Sequence, residues 1–163
     1  MTSINAAISG SFRLNSIGGA QATSFQRLST GLQINSAADN PAGLIASESL
    51  GARGAELESQ IRAISRQSDQ LNISEAAIAA SRPGVDSVVE RAEIGIRQRQ
   101  SDSDRRVAET EAINTAAARS AIRDADYGKE SSSLASGSVR AKATIYAINA
   151  SRQAQASIID LLA

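Results

Sequence analysis

The sequence predicts an all-α fold, a long helical hairpin rod with terminal coiled-coil helices. Three observations carry this. From Leu50 an apolar stripe advances by steps of three and four through Gly54, Leu57, Ile61, Ile64, Ser68, Leu71, Glu75, Ile78, Arg82, Val85, Val89, Ala92 and Ile96, the seam of a long helix packed on other helices. Aromatic residues make up 2% of the 163 and Trp is absent, so any core must be built from Ile, Leu, Val and Ala rather than from the large rings that usually dominate one. The chain has two prolines and no sustained Val/Ile/Thr/Tyr alternation, which argues against sheet. Many seam positions are small or polar. Each helix therefore buries little by itself, and the chain reads as a rod completed by partners.

The first segment, about 3–32, places Ile4, Ile8, Phe12, Leu14, Ile17, Phe25, Leu28 and Leu32 at helical spacing. Gly10, Gly18 and Gly19 dilute it, each costing roughly 1 kcal/mol against Ala, so this helix is expected to be weak in a free monomer. A non-helical connector follows from Gln33 to Asn40. Asp39-Asn40-Pro41 is a start signal, because Asn or Asp caps orphan N–H groups and Pro suits the first helical position. The second helix is expected from Pro41 to about Gln100, on the order of 85 Å at 1.5 Å per residue, with a kink or short break at Arg82-Pro83-Gly84. Ser101-Asp102-Ser103-Asp104 reads as a polar turn, and Arg105-Arg106 beside it as part of that turn. A third helix, about 105–124, is then expected to fold back as an αα-hairpin. Asp124-Ala125-Asp126-Tyr127 looks like a break and a new N-cap, with Glu130 favouring the dipole. The last helix, 127–162, carries a seam of Leu134, Ser138, Ala141, Ile145, Ile148, Arg152, Gln155, Ile159 and Leu162. The expected segments are therefore 1–40, 41–126 and 127–163.

Composition excludes several functions. Basic and acidic residues number 17 each, which gives no electrostatic case for nucleic acid or an anionic membrane and removes a barrier to self-association. Without Cys there is no disulfide or thiolate chemistry, and without His the commonest general base and metal ligand is missing. Carboxylates such as Glu48, Glu56, Glu58, Glu75, Glu90, Glu93, Glu109 and Glu111 are scattered singly over helix faces, so no catalytic residue, metal site or cofactor is expected. Glu56, Glu58, Arg62 and Arg66 suit i,i+4 pairing. The N-terminus lacks the pattern of a Sec signal, and no apolar run approaches the ~20 residues that span a bilayer. An exported chain of this kind would need another route.

Two stretches are recognisable. Arg27-Leu28-Ser29-Thr30-Gly31-Leu32-Gln33-Ile34-Asn35-Ser36-Ala37-Ala38-Asp39-Asn40-Pro41-Ala42-Gly43-Leu44 resembles the N-terminal signature of bacterial flagellins, and Ser120-Ala121-Ile122-Arg123-Asp124-Ala125-Asp126-Tyr127 resembles their C-terminal signature. The chain also ends in a paired-leucine tail, as many flagellins do. The resemblance covers nearly the whole chain. It implies a structural subunit that polymerises into the bacterial flagellar filament for motility, outside the cell, after passage through the flagellar type III system. It implies that 1–40 is an inner-tube helix plus spoke, with Asn35, Asp39, Asn40 and Pro41 at the spoke and helix start, and that 127–163 is the second inner-tube helix. Self-assembly residues would be Ile4, Ile8, Leu28, Leu32, Ile145, Ile148, Ile159 and Leu162. Implied partners are other copies, the export chaperone at the C-terminal helix, and hook-associated and cap proteins. Two alternatives share features: the hook–filament junction protein, which has the N-terminal signature, and a secreted helical adaptor that never polymerises. The Asp-Ala-Asp-Tyr motif favours the filament protein.

The chain also departs from the family. Typical flagellins carry further helices, a β-hairpin and often outer domains between the arms, and these are stripped to a minimum here. Flagellins that activate the vertebrate flagellin-sensing Toll-like receptor carry an Arg, a Leu four on and a Gln three further. Laid on this chain, those positions fall at Glu90, Ile94 and Arg97, so a base has become an acid and an amide a cation.

Overall fold

The computed structural model describes residues 2–81 and 84–162, with side chains described for 8–81, 84 and 87–157. Among these residues there are four helices, α1 (Thr2–Thr30), α2 (Pro41–Ala80), α3 (Val85–Arg123) and α4 (Tyr127–Leu162). No strand occurs among them, only an isolated antiparallel bridge between Leu32 and Asp124. The all-α expectation holds. The helices form two compact units. One is Asn40–Arg123 with α2 and α3; the other joins Met1–Asp39 to Asp124–Ala163 and holds α1 and α4.

In the first unit α2 begins where its cap requires. The Asn40 carboxamide oxygen accepts from the Gly43 N–H at 2.9 Å, and Pro41 occupies the first turn, where its missing N–H removes no helical bond. The stripe from Leu50 to Ile78 faces inward as a half-buried series. Its centre is Leu57, 1% exposed, with Ser47 fully covered one stretch earlier. Small seam residues let the second helix approach, so the pair buries a narrow stripe and little else.

The expected boundaries beyond residue 80 are corrected. The helix begun at Pro41 ends at Ala80 instead of continuing to Gln100, and α3 runs unbroken through 101–104. The hairpin reverses between Ala80 and Val85, not at Ser101–Asp104. Arg82 and Pro83 themselves lie outside the described residues. The reason is energetic. Pro costs about 3 kcal/mol in a helix interior and an adjacent Gly about 1, while Gly84 starts the new helix through a reciprocal cap: its N–H donates to the Ser87 hydroxyl at 3.0 Å. The Ser/Asp run is tolerated inside α3 because its side chains are satisfied there. Arg105 pairs with Asp102 and with Glu109 at i−3 and i+4, Asp104 accepts from Gln100, and Ser101 is a small buried seam residue.

The reversal also resets the helical phase. Continuing the α2 stripe places Val89, Ala92 and Ile96 on the seam, yet all three are exposed. The buried positions of α3 are Ile94, Ser101, Ala108 and Thr115. Contacts descend on α3 as they ascend on α2, which makes the pair antiparallel. Glu48 meets Arg123 at 2.7 Å, Arg53 meets Glu111 at 2.6 Å, and the Gln98 amide donates to Asn72 and Glu75, each at 3.0 Å.

Substituting Leu57→Ala should lower the stability of this unit by about 2–3 kcal/mol, the low end of the Leu→Ala range because a two-helix layer can relax. Ile73→Ala, on an exposed α2 face, should stay within about 0.5 kcal/mol. Chemical denaturation followed by circular dichroism compares the two; equal effects would mean that the seam does not hold the pair.

Candidate functional site

Most of the residues that the sequence marks for function belong to the unit in which α1 and α4 run antiparallel, while Asn40, Pro41, Glu90, Ile94 and Arg97 belong to the α2–α3 unit. Gly10 lies under Ile148 so closely that a Cβ on residue 10 would sit 2.7 Å from the Ile148 Cγ1. Gln21 crosses Gly137, where a Cβ would be 3.0 Å from the glutamine stem. These glycines weaken α1 and α4 as isolated helices but admit the partner's side chain, so their propensity cost is offset by approach.

At the other end of the pair the contact is polar. Glu130 is 5% exposed. It accepts from the Arg27 guanidinium at 3.1 Å, and the buried Ser24 hydroxyl donates to it as well. Ser24 foremost, and Arg27 with it, hold the Glu130 carboxyl below the usual glutamate range against the opposing effect of burial. The Tyr127 hydroxyl donates to the Leu28 carbonyl at 2.9 Å. The Ala125 N–H donates to the Gly31 carbonyl, also at 2.9 Å. Gly31, at φ +70°, ends α1 in the left-handed conformation that a Cβ disfavours, with its N–H returning to Arg27 O at 2.8 Å. Asp126 caps α4 through the Lys129 N–H at 3.0 Å.

The connector is closed by one carboxylate. A single Asp39 oxygen, Oδ2, accepts from the Asn35 N–H, the Ser36 N–H and the Ser36 hydroxyl at 2.8–3.1 Å. These bonds, the Ser36 N–H first, lower its pKa. The Asn35 amide donates to the Leu32 carbonyl at 3.0 Å. Ile34 is buried.

The predicted assembly residues are placed unevenly. Leu28, Leu32 and Ile148 are half-buried. Ile8 and Ile145 are each 48% exposed, and Arg152 is exposed too. Thr144 takes the inward position expected of Ile145, because the seam of α4 passes through Ala141, Thr144, Ile148 and Ser151. The side chains of Ile4, Ile159 and Leu162 lie outside the described ones. On α3, Glu90 and Arg97 are exposed while Ile94 is turned into the seam. Sequence reasoning missed the Ser24–Arg27–Glu130 cluster. Its signal was present: an acid at one end of the α4 inward series and a base at the facing end of α1.

Among the described residues no cluster of His, Cys, Asp and Glu could hold a metal ion, and no helix is long and apolar enough to cross a membrane. The fold and site define an all-helical chain whose first and last helices pair with each other. Residues 4–118 match the bacterial flagellin N-terminal helical region, well over half of the chain, and the chain belongs to that family. No curated protein matches it in a sequence search. The family is a structural one and points to a subunit of the extracellular flagellar filament.

Because the Glu130 pKa is lowered on folding, its contribution is present above the ordinary glutamate value of 4.5 and is lost as pH falls through the lowered folded value. Acid titration of helicity should therefore show a loss below about pH 4.5 that Glu130→Gln reduces. Ser24→Ala should shift that loss to higher pH. Superimposable curves for the three proteins would mean that the cluster is not coupled to pairing of α1 with α4.

Proposed function

We propose that this chain polymerises into the bacterial flagellar filament, and that α1 with α4 forms the innermost contact between copies. The observation that carries this is the surface of that pair. Although the two helices pack on each other, Ile8, Phe12, Phe25, Val139, Ile145 and Tyr146 remain 48–75% exposed on it, more apolar side chain than a solitary helix pair gains by leaving in water. Copies laid side by side would cover these residues. The terminal helices would gain most of their order on assembly, and the subunit would pass unfolded through the type III channel with α4 held by the export chaperone. Hook-associated and cap proteins would meet the ends of the polymer, outside the cell.

The hook–filament junction protein remains the second reading, since the matched N-terminal region serves both. The segment Asp124–Tyr127 favours the filament subunit. It resembles the flagellin C-terminal signature, and here it caps α4 and ties Tyr127 to Leu28.

Ile148→Asp tests the assembly role. A carboxylate at this half-buried position would replace the apolar contact on Gly10 with a charge in the α1–α4 seam, at about 1–3 kcal/mol in every subunit. Salted-out protein should then form no filaments by electron microscopy while α2 and α3 melt as in the parent. Filaments of normal length from the variant would overturn the proposal.

The same family reading makes the chain a poor agonist of the flagellin-sensing receptor. Glu90 and Arg97 present reversed or added charge, and Ile94 is withdrawn into the α2–α3 seam. Like charges juxtaposed in an interface commonly cost a few kcal/mol, a hundredfold or more in affinity. A reporter-cell assay should give little activation; potency equal to that of an enteric flagellin would show that this stretch is not the receptor's contact.

A further inference from the structure

The zero formal charge of the chain hides a segregation that the folded pair of α1 and α4 makes visible. Helix α1 carries Arg13 and Arg27 and no carboxylate, while α4 carries four cations against Glu130 and Asp160. Four of these cations are drawn to one edge of the pair. A groove of about 480 Å³ between the helices is lined by Arg27, Lys129 and Arg140 together with Thr23, Ser133 and Ser136. A second groove, of about 470 Å³, continues past Arg13 to Ser151. At 100° per residue Lys129, Ser133, Ser136, Arg140, Ala143 and Ala147 fall within an arc of about 80°, so both grooves follow the same flank of α4.

Glu130 is the one carboxylate among the residues lining these two grooves, and Ser24 and Arg27 already hold it. Arg27 gives it only Nη1, and the buried Arg27 Nε has no hydrogen-bond partner. Lys129 acts on the same carboxylate through space. Arg13 and Arg140 make no ion pair among the described residues. Four cations therefore face one acid along the flank, and their mutual repulsion is relieved by a counter-charge. The spacing sets the shape of that counter-charge. Lys129 and Arg140 are rooted about 16 Å apart along α4, and Arg13 lies beyond Arg140, beside Ala143 and Ala147. The cations form a row instead of converging on a point, which suits a chain of oxyanions better than a single ion. Neither groove is lined by an aromatic residue, so nucleobases would find no stacking platform. Small hydroxyl side chains and cationic donors suit a bare phosphate backbone.

We propose that this flank of the α1–α4 pair binds linear inorganic polyphosphate. Arg13 and Arg27 come from one helix and Lys129 and Arg140 from the other, so the bound chain grips both helices at once. It recognises the paired form and not the separated helices, and it stabilises pairing by mass action within a single subunit. The site stands on the geometry of the pair and is independent of the assembly proposed above.

Calorimetric titration of the unassembled full-length protein tests this, with medium-chain sodium polyphosphate, orthophosphate and an oligothymidylate of matched length as the three probes. Polyphosphate should bind most tightly, weaken about tenfold or more as salt rises from about 50 to about 200 mM, and raise the thermal midpoint of helicity. Lys129→Gln combined with Arg140→Gln should lower the affinity about tenfold. Lys142→Gln, which removes a cation from the opposite side of α4 at 200° from Arg140, should change it less than about twofold. All three positions are exposed, so the variants should keep the parent's circular dichroism in the absence of ligand. An equal loss from Lys142→Gln would mean attraction to net charge and overturn the groove. Orthophosphate or oligothymidylate binding as tightly as polyphosphate would overturn the assignment to a phosphate chain, and so would the absence of polyphosphate binding at low salt.

Discussion

An antiparallel pair of helices can cover only one stripe of each, and that constraint governs both units of this chain. With two helices per unit, most helical residues off the seam stay in water, whatever their chemistry. This is why, among the described residues, the fully buried side chains are reduced to Leu57 and Ser47 and why side chains as large as Phe12, Phe25 and Tyr146 lie outside. It also explains the composition. A seam between two helices is closed well by Ala, Ser, Gly and aliphatic residues in a 3–4 series, and large aromatic rings would hold the helices apart. The family's structural role fits a chain so built, because the faces left open within a unit are available to other copies.

The two units meet the constraint differently. Between α2 and α3 the seam is aliphatic at its centre and is flanked by exposed ion pairs such as Arg53 with Glu111. Pairs at such exposure contribute little to stability, and their value lies in fixing which residues face each other. Between α1 and α4 the seam is thinner. Gly10 and Gly137 replace bulk with closeness, and a buried carboxylate bound by Ser24 and Arg27 replaces an apolar layer. A buried ion pair adds little net stability over an apolar pair, yet sliding the helices by one turn would strand Glu130 without donors. The terminal pair thus gains a defined register from residues that give it little strength.

Much of this was legible in the residues. The stripe from Leu50 to Ile78, the Asn40-Pro41 start and the Asp126 cap are local signals, and the structure places each where the spacing put it. The hairpin turn was not. Pro83-Gly84 and Ser101–Asp104 both read as breaks, and choosing between them depends on which residues find partners after folding: Asp102 and Asp104 do, through Arg105 and Gln100. A reversal at 81–84 resets the helical phase, so the seam that a continuous helix would give to Val89 and Ile96 belongs to Ile94 and Gln98. The functional cluster escaped for a related reason. Ser24, Arg27 and Glu130 are unremarkable one at a time, and only pairing across 103 positions, from Arg27 to Glu130, brings them together.

That separation imposes an order in time. The helices α2 and α3 are joined by four residues, 81–84, so they can zip together as soon as both exist. The strands of contact between α1 and α4 close a loop on the order of 100 residues, which at (3/2)RT ln n is about 3 kcal/mol harder to form than a four-residue one. Contacts this distant form late. During synthesis, too, α1 emerges from the ribosome long before its partner has been made. The middle hairpin is therefore expected to acquire structure before the terminal pair closes, which leaves the chain's two ends open while the rest of the molecule folds.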